Sequence, residues 1–146
     1  MVNGVITSAA GGGRPLIVVI EDEAIVLAGY QMLFESLGYG VVASPSSADA
    51  LRQLAALEGR PDCILADYRL KDGQTGTEAI ETIRKAFDTA IPGVLVTGDT
   101  AVDRLRHAAA SGLPILHKPV NGQQLMDVVR KLLASAGAMS ARERVG

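Results

Sequence analysis

The chain has 146 residues, 48% of them hydrophobic, which is enough for one domain with its own core and too few for two ordinary ones. A formal net charge of −2 offers no whole-chain electrostatic match to nucleic acid or to an anionic membrane, so neither is expected as a direct partner. The single cysteine, Cys63, excludes an intrachain disulfide and a thiolate-built zinc site, and it fits a reduced, cytoplasmic compartment.

Residues 1–15 carry no basic residue ahead of their apolar stretch and run into Gly11-Gly12-Gly13, so they read as a flexible lead-in and not as a signal peptide. Leu16 to Ile20 then predicts a strand far too short to span a membrane. Val26, Tyr30, Leu33 and Leu37 recur at helical spacing, and Gly38 supplies the stop. Gly40 to Ala43 is a second strand. Ser44-Pro45-Ser46-Ser47 introduces a helix that carries Leu51, Leu54 and Ala55 on one side until Gly59-Arg60-Pro61 ends it. A third strand, Asp62 to Ala66, precedes a helix built on Ala79, Ile80, Ile83 and Phe87. A fourth, Gly93 to Thr97, precedes an alanine-rich helix over about 101–111 with a thin stripe of Val102, Leu105 and Ala109. The last strand is Pro114 to His117, and the fifth helix uses Leu125, Val128, Val129 and Leu132. Residues 136–146 have too little apolar content to pack firmly and read as a flexible tail, which bounds the domain at 16–135. Apolar strands alternating with amphipathic helices predict an α/β fold, a parallel sheet covered by helices on both faces.

In open parallel sheets the binding crevice lies beyond the carboxyl ends of the strands. Glu21-Asp22, Asp67, Thr97-Gly98 and Lys118-Pro119 all fall there. Taken singly, each has an ordinary explanation. An acidic run favours a helix N-terminus, a threonine caps a helix, and a lysine is usually a solvated surface group. Taken together, clustered carboxylates repel by about a few kcal/mol per close pair unless a divalent cation offsets the cost. Oxygen ligands suit Mg2+, which keeps positions open for a phosphoryl oxygen. Asp67 can then be both ligand and nucleophile, forming an acyl phosphate whose oxygens Thr97 and Lys118 bind. Gly98 leaves the backbone uncovered for a close approach by the phosphodonor.

Over Leu16 to Ala134 the chain resembles a response-regulator receiver domain of two-component signalling, with these four motifs in family order. The resemblance implies a flavodoxin-like, doubly wound five-stranded sheet in the order 2-1-3-4-5 with five helices. It makes Asp67 the phosphoacceptor, Thr97 the switch hydroxyl and Lys118 the phosphate-binding lysine. The metal, Mg2+ with Mn2+ as a substitute, would be held by Glu21, Asp22, Asp67 and the backbone carbonyl of Arg69. A cis bond before Pro119 is implied as well. Arg69, Gly98 and Asp99 occupy positions that modulate the lifetime of the phosphoryl group, and Arg69 and Asp99 suggest an ion pair across the pocket mouth. Two positions depart from the pattern. Glu21 stands where the family usually has Asp, so direct ligation is assigned to Asp22 and a water-mediated role to Glu21. Ile115 stands where the family places Tyr or Phe, which removes an aromatic rotamer as the readout.

The implied donor is the phosphohistidine of a histidine kinase or histidine phosphotransfer protein, since His107 reads as an exposed helix residue and His117 as a strand-end neighbour of Lys118. The implied output is a protein target on the face formed by the fourth helix, fifth strand and fifth helix, with the chain a monomer or weak homodimer. The stretches 96–100 and 112–120 particularly resemble receivers at the C-terminal end of hybrid sensor histidine kinases. Three other readings compete: an aspartyl-nucleophile phosphatase or phosphotransferase, whose acid motif after the first strand is absent; a nucleotide-binding domain, for which neither Gly11-Gly12-Gly13 nor Thr97-Gly98-Asp99-Thr100 makes a phosphate loop; and a receiver that binds partners unphosphorylated.

Overall fold

All five apolar runs form strands in the computed structural model, which describes residues 14–99 and 101–145, with side chains up to 135 except that of Arg104. The strands are β1 (Leu16–Ile20), β2 (Gly40–Ser44), β3 (Cys63–Asp67), β4 (Gly93–Thr97) and β5 (Ile115–His117). They alternate with α1 (Ala24–Ser36), α2 (Ser47–Leu57), α3 (Gly76–Phe87), α4 (Val102–Ala110) and α5 (Gly122–Val145). Every pairing is parallel and the order is β2-β1-β3-β4-β5, the doubly wound arrangement expected.

β1, β3 and β4 are buried along their whole length, because helices cover both faces. Val18, Ile20, Ile64, Ala66 and Leu95 meet α2, α3 and α4 on one face. Ile17, Val19, Leu65, Val94 and Val96 meet α1 and α5 on the other. Each large aliphatic side chain buried in this way stabilises the fold by about 1.5–3 kcal/mol.

Local chemistry shifts several expected boundaries. Asp62 stays outside β3 because its carboxylate Oδ2 accepts the Leu16 N–H at 2.7 Å, so the strand starts at Cys63 and takes Asp67 as its last residue. Gly38, at φ +90°, ends α1 as expected, but Leu37 falls at the cap, just beyond the helix, and is 46% exposed. Phe34 is the buried anchor of α1 instead. In α2, Ala50 and Leu54 are buried while Ala55 faces solvent. Among the described side chains of α4, Ala108 is the buried one, with Leu105 half-buried and Val102 and Ala109 exposed, so the helix is rotated from the stripe that the sequence suggested.

α5 continues as helix through 136–145, the stretch expected to be a tail, in keeping with its alanines and long unbranched side chains. Of the lead-in expected over 1–15, residues 1–13 lie outside the described residues. Among the described residues no helix is long and apolar enough to cross a membrane.

Candidate functional site

The sheet ladders run one residue past their strands and so align the polar residues that follow. The Glu21 N–H donates to the Ser44 carbonyl at 3.0 Å, Tyr68 N–H to Val96 at 2.8 Å, and Lys118 N–H to Thr97 at 2.8 Å. Asp67 and Thr97 are the last residues of β3 and β4. These ends open into one cleft of about 590 Å³, lined among others by Asp22, Asp67, Arg69, Thr97, Gly98 and Lys118.

Carboxylate oxygens of Glu21, Asp22 and Asp67 lie within 4.8 Å of one another. Lys118 Nζ stands 3.1 Å from Asp67 Oδ2 and 3.6 Å from Glu21 Oε1. Asp22 accepts a further hydrogen bond from the Lys71 backbone N–H. Glu21 is only 1% exposed: its Oε2 accepts the Glu23 N–H at 3.0 Å, while Oε1 has no hydrogen-bond partner among the described residues. Burial first, then the Asp67 and Asp22 charges, push its carboxyl above the ordinary value, against the Glu23 N–H and the Lys118 ammonium. Burial pulls the Lys118 ammonium down, but the Asp67 hydrogen bond and the charges of Asp67 and Glu21 outweigh it, and the net shift is upward.

Three carboxylates facing one ammonium, with a buried oxygen lacking a donor, suit a hard divalent cation, and the all-oxygen donor set fits Mg2+ or Mn2+. Thr97 is buried, and its Oγ1 accepts the Asp99 N–H at 3.0 Å; this makes a local turn and leaves Ala101 as the α4 N-cap. Gly98 is exposed, with space around its backbone that even a Cβ would share only with the Lys118 stem at 3.7 Å. Arg69 Nε and Asp99 Oδ2 are 3.1 Å apart, the pair expected at the mouth, although a half-exposed arginine makes it worth under about 1 kcal/mol. The Lys118–Pro119 peptide is cis. Ile115 pairs in register with Leu95 and packs against the α2, α3 and α4 face.

Two residues of this region, Gly76 and Tyr68, escaped the sequence reading. Gly76 opens α3 so close to β3 that a Cβ there would lie 2.5 Å from the Asp67 carbonyl oxygen. Tyr68 is buried, and its hydroxyl meets His107 Nδ1 at 2.6 Å, so His107 is exposed but not idle. Burial, followed by the Asp99 and Glu78 charges, raises the Tyr68 hydroxyl above its ordinary value. A buried tyrosine needs a polar partner for its hydroxyl, but Tyr68 stands between Asp67 and Arg69, and nothing in the sequence marks it as buried or names the partner. Cys63 is a core residue, its thiol pushed up to about 12 chiefly by burial.

The profile of the response regulator receiver domain matches residues 17–130. The phyllosphere-induced regulator PhyR of Methylorubrum extorquens is 33% identical over 89 residues, covering 57% of this chain and 33% of that protein. The transcriptional regulatory protein PrrA of Mycobacterium bovis is 29% identical over 131 residues, covering 88% of this chain and 54% of that one. The chain thus spans about a third to about half of the length of these curated relatives. Among solved structures, a CheY-like receiver domain protein from Methanospirillum hungatei JF-1 superposes with a TM-score of 0.73 at 21% identity, covering 87% of this chain and 99% of that one, a likeness of fold. A response regulator receiver protein from Pseudomonas putida gives 0.68 at 26% identity, covering 82% and 98%.

Proposed function

The chain belongs to the response regulator receiver domain family, and from that premise we propose that it is a phosphorelay switch in which Asp67 accepts a phosphoryl group from a partner phosphohistidine. The observation that carries this reading is the Asp67 carboxylate at the cleft mouth, 3.1 Å from Lys118 Nζ and clustered with Glu21 and Asp22.

A lone pair of one Asp67 oxygen forms the new P–O bond as the P–N bond to the donor imidazole breaks. The bond pair stays on the imidazole nitrogen, which takes up a proton. Lys118 leaves Asp67 Oδ2 for the transferred phosphoryl oxygens, and the buried Thr97 hydroxyl gives up the Asp99 N–H to bind another. Mg2+, or Mn2+ in its place, would be held by Asp22, Asp67 and the Arg69 backbone carbonyl with Glu21 acting through water, and it supplies positive charge against the phosphoryl oxygens. Gly98 leaves room for the donor, while Arg69 and Asp99 narrow the path of attacking water. Replacing both Arg69 and Asp99 with alanine changes the dephosphorylation rate, and an unchanged rate removes that role.

The family is one of signalling proteins, so the chemistry proposed is limited to self-phosphorylation from small donors and slow self-dephosphorylation. A histidine kinase or histidine phosphotransfer protein is the donor, and a protein target docks on the α4, β5 and α5 face. No nucleic acid or membrane takes part directly. The chain acts in the cytoplasm as a monomer or weak homodimer, alone or as the receiver of a hybrid sensor histidine kinase.

Incubation with acetyl phosphate and Mg2+, followed by intact-mass measurement, tests the reading. The wild type gains one phosphoryl group and Asp67→Asn gains none. Sustained turnover of many phosphate esters would instead mark an enzyme, and no gain on a folded wild type would mark a receiver that works unphosphorylated.

A further inference from the structure

Among the described residues, few side chains of α4 reach the sheet. Ala108 is its buried side chain, Leu105 is half-buried, Val102 is 62% exposed, and the N-cap Ala101 makes no side-chain hydrogen bond. Across this shallow contact runs a polar tie. Tyr68 Oη lies 2.6 Å from His107 Nδ1, and the two rings meet edge to face with centroids 6.3 Å apart. Tyr68 is firmly based: its N–H donates to Val96, its carbonyl accepts the Gly76 N–H, both at 2.8 Å, and the residue is 5% exposed in the core shared with Ala108. Ile115, on the same face, offers α4 no polar atom. Tyr68 is also the peptide neighbour of Asp67, and the chain leaving Thr97 runs directly into α4. One end of α4 therefore follows Thr97, and the other is tied back to the residue beside Asp67.

We propose that Tyr68 and His107 form a positioning pair that latches α4 in its resting place and so sets how readily the site accepts a phosphoryl group. The proposal rests on the reading of Asp67 as phosphoacceptor. When Thr97 turns to the new phosphoryl oxygen it releases the Asp99 N–H, and the start of α4 must follow. The Tyr68–His107 hydrogen bond, made only in the resting position, opposes that movement. Removing it makes the shifted arrangement less costly without touching a group that contacts phosphorus.

Tyr68→Phe keeps the ring and its packing and deletes only the hydroxyl. His107→Leu deletes the partner, and His107→Asn restores a polar one, since its amide can place either Oδ1 or Nδ2 where Nδ1 stood. In the unmodified protein, amide hydrogen exchange in the second half of α4 should quicken roughly five- to tenfold in Tyr68→Phe and His107→Leu, matching the loss of one neutral hydrogen bond. β1 and β3 should exchange as before, His107→Asn should stay close to wild type, and the Tyr68→Phe/His107→Leu double variant should go no further than either single one. With acetyl phosphate and Mg2+, the rate of mass gain should rise several-fold in the two loosened variants and not in His107→Asn. Unchanged α4 exchange in Tyr68→Phe overturns the latch. Quickened exchange with an unchanged rate of mass gain overturns its coupling to the site. A wild type that gains no mass overturns the Asp67 reading and the coupling with it, while the exchange measurement still decides the latch.

Discussion

Glu21 and Lys118 pull the stability of the fold in opposite directions. A carboxylate 1% exposed, with one oxygen lacking a donor among the described residues, is a poor choice for holding a fold together. Because its folded-state pKa is raised above 4.5, the folded chain binds this proton more tightly than the unfolded chain does. The group's favourable contribution is present below pH 4.5 and is lost as pH rises through the higher folded value, so at neutral pH ionised Glu21 costs stability. In the absence of divalent cations, Glu21→Gln should therefore have a higher urea midpoint than wild type at pH 7, with the gap narrowing as pH falls toward 4.5. A gap of constant size, or one of opposite sign, would contradict the assignment. Lys118 carries the opposite balance: its ammonium compensates Asp67 and Glu21 at rest, and in the proposed transfer it would move to the phosphoryl oxygens. Lys118→Met keeps much of the stem and its packing, and should slow phosphoryl gain from acetyl phosphate by about a hundredfold, the usual scale for one preorganised charge. A change under threefold in the labelling rate would remove Lys118 from the mechanism.

The elements carry constraints that no side chain of the cleft reveals. α3 begins with a capping box, in which Thr75 accepts from the Glu78 N–H and Glu78 accepts from the Thr75 N–H, so its first turn is fixed against β3. Gly76 fits there only because it has no Cβ, which would otherwise lie 2.5 Å from the Asp67 oxygen and 2.9 Å from Leu95 Cδ2. Gly76→Ala should cost about 1–3 kcal/mol in denaturant unfolding, and it should also slow phosphorylation by displacing the Asp67 main chain. At the far end of α2, Glu58 is held at φ 53°, a left-handed conformation that favours glycine. Glu58→Gly should gain about 0.5–1 kcal/mol with phosphorylation unchanged, a contrast that separates backbone relief from damage to the site. The alternation of strands and helices was legible in the sequence because β1 and β4 are unbroken apolar runs and α3 has a clear stripe. Convergence of Asp67, Thr97 and Lys118 followed once the strands were taken as parallel. The rotation of α4 was not legible, since with Ala108, Ala109 and Ala110 in a row only contact with the sheet decides which alanine is buried. Neither was the Tyr68–His107 tie, which joins residues 39 apart in sequence and depends on that same rotation.

At the scale of the whole molecule, the site is a junction of strands brought together only by folding. Glu21 and Asp22 follow β1, Asp67 ends β3, and Lys118 follows β5, so a cation or phosphoryl group held among them bridges segments up to 97 residues apart. The unfolded chain has no such cluster, and a cation that binds only the folded form must raise stability by RT ln(1 + [L]/Kd). At a hundred times its dissociation constant, Mg2+ should add about 2.7 kcal/mol, which for a domain of this size is a rise in midpoint of roughly 5–10 °C. Screening of the crowded carboxylates by salt could imitate part of that effect, so the comparison is with NaCl at the same ionic strength. Asp22→Asn removes a carboxylate assigned to direct ligation without emptying the core, and it should lose most of the Mg2+-dependent rise while keeping the small response to NaCl. If Asp22→Asn keeps the full rise, or if NaCl reproduces it in the wild type, the three carboxylates are not the cation site. The stabilisation would then belong to general relief of repulsion across the molecule.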